Sequence, residues 1–176
     1  MSSIGRAGVW IRPRALRVSL GWATGLMGLC LVCLFFWLQP AWSDLAGSDL
    51  AALQHLTWYP YVSGAFLLAL ICPLWHLAYL RAHQRPATRR HVKTHQWIGA
   101  LTPFALLLHT TRVGYGYTRV LSLTLLGSCL VGLLAPRYLR VRAPWFFAVW
   151  MMLHIVLAFV LLAGIGLHLF VVTCYH

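Results

Sequence analysis

Apolar residues fill five long segments of this chain, and polar residues cluster in the short connections between them. Each segment approaches or exceeds the roughly 20 residues that an α-helix needs to cross a bilayer. The pattern therefore predicts an all-α integral membrane protein, a bundle of five transmembrane helices. The predicted helices cover approximately 18–38, 58–80, 86–112, 117–136 and 144–173.

Composition supports a membrane protein and one domain. Of the 176 residues, 61% are hydrophobic and only 9% are charged, which is not the composition of a soluble domain. We find no linker or low-complexity run, so residues 1–176 are predicted to form a single membrane domain. The first apolar run is longer than the roughly 7–15 residues of a signal-peptide core, so we expect it to remain as a helix.

The basic residues predict an orientation, because Lys and Arg near helix ends favour the cytoplasmic side. Twelve of them lie in the N-terminal segment and in the connections between helices two and three and helices four and five. The opposite side holds Arg112, Arg119, Asp44 and Asp49. We therefore expect a cytoplasmic N-terminus and a periplasmic C-terminus in a bacterial inner membrane. Anionic lipid headgroups explain the net charge of +12 without a nucleic-acid partner.

Two predicted helices carry histidines at the same separation. Helix three contains HQWIGALTPFALLLH (95–109), and helix five contains HIVLAFVLLAGIGLH (154–168). Fourteen residues rise about 21 Å and complete almost four turns, so both histidines of a helix share one face near opposite membrane surfaces. One span separates the two helices, which therefore run in the same direction. We expect His95 to face His154, and His109 to face His168.

Paired imidazoles in an apolar bundle suit b-type haem, whose iron accepts one neutral imidazole on each axial side. With both axial positions filled, neither iron has an open site for oxygen or substrate. Such haems relay electrons, and two of them about 21 Å apart would connect the two membrane surfaces. Histidine that only bonds neighbouring helices is the competing interpretation, but intramembrane ionisable residues are usually functional.

Haem propionates also need cations. Arg112 follows His109 by one helical turn, with Arg119 opposite, and both would suit the outer haem. The inner haem would be served by Arg89, Arg90 and Lys93. For each of these five cations, snorkelling to the interface is an equally good explanation.

Other histidines and the cysteines leave alternatives open. His91 precedes His95 by one turn and could replace it as a ligand or contact a propionate, and His76 could serve a quinone. A solvated or interfacial role is the better interpretation of both. Small apolar filling is predicted for the intramembrane cysteines, which are Cys30, Cys33, Cys72 and Cys129.

With histidines spaced in this way on the third and fifth of five spans, the chain resembles the ferric reductase-like transmembrane domain. That family includes NADPH oxidases, ferric reductases and the haem-binding subunit of the periplasmic methionine sulfoxide reductase system. The resemblance covers about residues 15–173 in layout and is specific at the four histidines. It implies that His95 and His154 bind the inner haem b, and that His109 and His168 bind the outer one.

The chain departs from the larger reductases because it has no flavin or nicotinamide domain and no glycine-rich nucleotide loop. A separate subunit, a quinol or a soluble carrier must then supply electrons. LHTTRVGYGY is also similar to a segment of cytochrome b from quinol:cytochrome c oxidoreductases. The corresponding helix of that family should run the opposite way across the membrane, which the basic residues oppose.

The expected function is electron transfer across the membrane, from a cytoplasmic or quinol donor to a periplasmic redox protein. The chain would be a subunit of a larger redox complex rather than a complete enzyme. Two other functions are weighed against it. One is a permease that lines a path for metal or small solutes with histidine, and the other is a purely structural anchor subunit.

Overall fold

The computed structural model describes residues 20–42, 49–110, 114–139 and 141–175. Every regular element within these ranges is helical and none is a strand, which confirms the predicted all-α class. One 3₁₀ turn, Cys72–Leu74, joins α3 to α4. The helices are α1 (Leu20–Trp42), α2 (Asp49–Gln54), α3 (Tyr59–Ile71), α4 (Trp75–Ala82), α5 (Arg89–His109), α6 (Tyr117–Leu133), α7 (Pro136–Leu139) and α8 (Pro144–Cys174).

Two helical stretches of the described residues are long and apolar enough to cross a membrane. They are Tyr59–Ala82, which runs through α3, the 3₁₀ turn and α4, and Pro144–Cys174, which is α8. Both leave most of their apolar side chains exposed on the protein surface. Shorter apolar stretches occur at Gly21–Leu34 in α1 and at Tyr117–Leu133, which is α6. The described part of the chain therefore contains two candidate membrane-spanning helices.

Proline and capping residues set the helix boundaries. α8 begins at Pro144, as predicted, because proline fits the first helical position, where no amide donor is needed. α5 begins at Arg89 rather than at Pro86, since the Thr88 side chain caps it and accepts from the His91 amide. Pro73 lies in the 3₁₀ turn, where the stretch Tyr59–Ala82 changes from α-helical to 3₁₀ winding.

The centre of the bundle is α5, which packs against α1, α3 and α6. Glycines bring α1 close to it: a Cβ on Gly25 would lie 3.2 Å from Ala100 Cβ, and one on Gly28 would overlap the Phe104 ring. Small residues of this kind let helix backbones approach closely in membrane proteins. The core residues are Leu29, Val32, Leu67, Ile71, Ala105, Leu106, Leu125, Leu126 and Leu161.

α5 and α8 are not in close backbone contact. α8 packs mainly on α6, and over the described residues its backbone makes few close approaches to α5. Only Leu161 is buried among the described side chains of α8. Side chains, rather than direct backbone packing, therefore bridge α5 and α8.

Candidate functional site

The structure brings together the two histidine pairs that the sequence predicts. The ring centroids of His95 and His154 lie 6.1 Å apart with 75° between the ring planes. Those of His109 and His168 lie 6.4 Å apart at 85°. Because both pairs form between the same two helices, α5 and α8 are parallel and in register, as their histidine spacing requires.

Hydrogen bonds fix both histidines of α5. His95 donates from Nδ1 to the Leu74 carbonyl, 3.2 Å away. His109 Nδ1 lies 3.0 Å from Ser63 Oγ, and the Ser63 hydroxyl donates its only proton to the Tyr59 carbonyl at 2.8 Å. With the Ser63 proton on the Tyr59 carbonyl, His109 Nδ1 is the donor to Ser63 Oγ. In both neutral rings this leaves Nε2 unprotonated, with its lone pair free to bind a metal.

The two α8 histidines lack such a partner. Nδ1 of His154 and Nδ1 of His168 are buried and make no hydrogen bond. The Ser128 carbonyl lies near the His154 ring, but outside hydrogen-bonding geometry with Nδ1. Leaving a buried polar group without a hydrogen bond costs roughly 1–3 kcal/mol of folding free energy. This cost is unfavourable for side chains that serve only to pack two helices together.

A cavity of about 260 Å³ lies beside the inner pair. This volume is slightly below the roughly 300–1,000 Å³ usual for small-molecule sites. The wall of the cavity is mainly apolar and aromatic. Among its lining residues are four glycines, which leave room beside the helix backbones. These are Gly21 and Gly25 of α1, Gly99 of α5 and Gly132 of α6.

One wall of this cavity is stabilised by a cysteine. Pro103, fully buried inside α5, has no amide proton to donate to the Gly99 carbonyl one turn earlier. Cys129 of α6 donates its thiol to that carbonyl over 3.7 Å. Cys129, predicted as apolar filling, therefore replaces a missing helix hydrogen bond, and both it and Gly99 line the cavity.

The cation of the inner cavity is Arg81, which the sequence argument did not select. Arg81 lies in the last turn of α4. It lines the cavity together with His95 and His154, and its positive charge acts on both rings. Its Nη1 also lies 3.6 Å from Met151 Sδ on α8. The sequence has no acidic residue between Asp49 and Arg81 or after it, so neither α3, α4 nor α5 offers Arg81 a carboxylate.

The structure places the predicted inner cations elsewhere. Arg89, Arg90 and Lys93 are exposed and line a separate depression on α5. Arg112, predicted for the outer site, lies outside the described residues, and Arg119 is exposed near the start of α6. The four predicted histidines thus meet in pairs, whereas none of the described predicted cations lines the inner cavity.

Other side chains hold the outer pair. A Cβ on Gly64 of α3 would lie 3.1 Å from His109 Cε1, so a larger residue would crowd the ring. Tyr117 of α6 has its ring centroid 6.1 Å from that of His168. Tyr59 and Gln54 donate to the Leu108 carbonyl at 2.8 and 3.1 Å, which satisfies an unpaired carbonyl at the end of α5.

The alternative ligand His91 has a different role. Its Nδ1 accepts the Thr88 amide proton over 3.2 Å as part of the α5 capping box, so the neutral ring carries its proton on Nε2. A protonated Nε2 cannot bind iron. The ring contacts His76, 5.4 Å away between centroids, at the surface of the bundle. His91 is also absent from the residues that line the cavity.

Trp150 also belongs to the site. Its ring is stacked on His154, with centroids 6.0 Å apart and 5° between the planes, and lines the cavity. Its indole donates to the Val131 carbonyl at 2.7 Å, just as Trp22 donates to the Leu133 carbonyl at 2.9 Å. Both tryptophans satisfy carbonyls at the end of α6 and so fix the inner end of the bundle.

No group of three or more His, Cys, Asp or Glu side chains is placed to hold a metal ion in the part of the chain that the structure describes. The candidate site is thus made of histidine pairs. Compared with protein-family models, with curated proteins and with solved structures, the chain gives no match.

Proposed function

We propose that this protein is a dihaem b-type membrane cytochrome that transfers electrons across the membrane. His95 and His154 hold the inner haem iron, and His109 and His168 hold the outer one. The observation that carries this proposal is the pairing of four imidazoles at two levels between two parallel helices.

The pair separations suit a metal bound between the rings. Two imidazole–metal bonds of about 2 Å, with roughly 1.1 Å from each nitrogen to its ring centre, put the centroids ~6 Å apart. The observed separations are 6.1 and 6.4 Å. Rings in direct contact can show the same distance. The cavity beside the His95–His154 pair favours a bound group over direct contact.

The chain's own residues also suit the ligand chemistry. Leu74 and Ser63 hold the α5 imidazoles in the tautomer that leaves Nε2 free, and such partners fix ring orientation and raise basicity. Arg81 lines the inner cavity, where its guanidinium would bind a propionate carboxylate. Trp150 and Cys129 line the same cavity.

When bound, two bis-histidine haems supply one-electron relay between the membrane surfaces. The four histidines would hold the two irons and leave no position open to other molecules. The mainly apolar lining of the cavity suits the apolar macrocycle of a haem. Donor and acceptor then contact the protein at its two ends.

We further propose five membrane crossings in a bacterial inner membrane, with the N-terminus in the cytoplasm and the C-terminus in the periplasm. The two long exposed helices support a membrane location, and the distribution of Lys and Arg supports the orientation. The donor would be a cytoplasmic protein or a quinol, and the acceptor a periplasmic redox protein or another subunit of a redox complex. A quinone near His76 is part of the same proposal.

The visible spectrum of the purified protein tests the proposal. A reduced-minus-oxidised difference spectrum with a b-type α band is the expected result. A protein that folds and purifies from a haem-competent host without this band would instead support the histidine-lined permease or the structural anchor.

A further inference from the structure

The exposed cations at the start of α5 share one face with an aromatic and an aliphatic residue. Arg89, Arg90, Lys93 and Thr94 line a depression of about 490 Å³ together with Trp97 and Ile98. These positions recur at intervals of about one turn, so they form a stripe along the helix. His91 and His95 lie off this stripe and contact α4 or the preceding 3₁₀ turn.

The chemistry of the stripe changes with depth. The cations occupy its first turns, and Ile98 lies about 13.5 Å further along the helix axis than Arg89. Trp97 lies beside Ile98, 41% exposed, and its ring packs against α1, where a Cβ on Gly21 would be 3.5 Å from Cδ2. From end to end, the stripe presents positive charge, then an interfacial aromatic ring, then an aliphatic side chain.

We propose that this depression binds one anionic phospholipid, with its phosphate at Arg89, Arg90 and Lys93 and an acyl chain along Trp97 and Ile98. The sequence has no acidic residue after Asp49, so neither α4, α5 nor their connection offers these cations a carboxylate. A soluble phosphate would satisfy the cations but would gain nothing from Trp97 and Ile98. The proposal rests on the membrane location proposed above, and not on the haems.

Two double variants of equal charge test the site. Arg89→Gln with Lys93→Gln removes two cations from the depression, and Arg85→Gln with Arg142→Gln removes two exposed cations outside it. Native mass spectrometry of each purified protein, titrated with phosphatidylglycerol or phosphatidylcholine, counts bound lipid. Haem content, recorded on the same samples, reports separately on the proposed function.

We expect one phosphatidylglycerol to bind the unmodified protein in preference to phosphatidylcholine. The double variant in the depression should bind it about 25-fold more weakly, since each cation near a lipid surface contributes about 1 kcal/mol. The control double variant should bind it as the unmodified protein does. Equal weakening in both variants would overturn the site, as would equal binding of the two lipids or complete displacement of lipid by inorganic phosphate.

Discussion

His109 donates from Nδ1 to Ser63 Oγ over 3.0 Å and thereby connects the outer histidine of α5 to α3. His109 is the donor of this bond when the Ser63 proton is donated to the Tyr59 carbonyl, 2.8 Å away. A serine one helix away therefore decides which ring nitrogen of His109 is free.

Replacing Ser63 by alanine should weaken binding of the outer haem. Loss of a partner behind a metal-binding histidine typically costs 10- to 100-fold in affinity, and we expect a loss in that range. Ser63→Thr keeps the hydroxyl and is the matched control. Haem retention during dialysis against a haem-binding acceptor protein measures the effect. Equal retention by the alanine and threonine variants would show that this hydrogen bond does not support the ligand.

The two histidine pairs should be separable by mutation. His154→Leu should remove only the inner haem, and His109→Leu only the outer, because each pair lies at its own level between α5 and α8. Each variant should keep about half of the haem, and the double variant none. Quantitative visible spectroscopy of the purified proteins measures this. Full haem content in either single variant would rule out that pair as the ligands.

Arg81 should influence the inner haem alone. Arg81→Gln removes a positive charge from the inner cavity, so it should lower the reduction potential of that haem and weaken its binding by roughly tenfold. The expected loss of binding free energy is at the low end of the range for charged hydrogen bonds, because Arg81 is exposed to solvent. Arg85→Gln, which alters an exposed cation that does not line the cavity, is the control. A spectroelectrochemical titration in which both variants shift equally would indicate a general charge effect instead.

Cys129 should contribute stability through its thiol proton. Cys129→Ala leaves the Gly99 carbonyl without a donor and should lower the free energy of unfolding by about 1 kcal/mol. Cys129→Ser retains a donor and should lose less, while Cys72→Ala, at an exposed position, should have little effect. Thermal unfolding of the detergent-solubilised proteins compares them. A serine variant no more stable than the alanine variant would contradict a role for the hydrogen bond.

The pairing of the histidines could be predicted because it depends on helix geometry alone. Fourteen residues return a side chain to nearly the same face, and one intervening span makes α5 and α8 parallel. The helical class followed from the apolar segments in the same way. These properties are local or periodic, and the sequence displays them directly.

The surroundings of the pairs could not be predicted, because they depend on contacts between distant segments. Arg81 reaches the cavity only because α4 ends beside α5 and α8, whereas proximity along the chain pointed to Arg89 and Arg90. Nothing in the sequence pairs Cys129 with Gly99. Pro103 does indicate that the Gly99 carbonyl lacks its usual amide donor within the helix. The predicted start of this helix at Pro86 is wrong by three residues, because the Thr88 side chain caps the helix and α5 begins at Arg89.

The number of haems per chain tests the dihaem proposal most directly. A pyridine haemochrome assay on the purified protein, combined with amino-acid analysis for protein concentration, gives this ratio. We expect two b-type haems per chain, with the α band that bis-histidine ligation produces. A well-folded protein from a haem-sufficient host that contains no haem would contradict the proposal and leave the four histidines to another role.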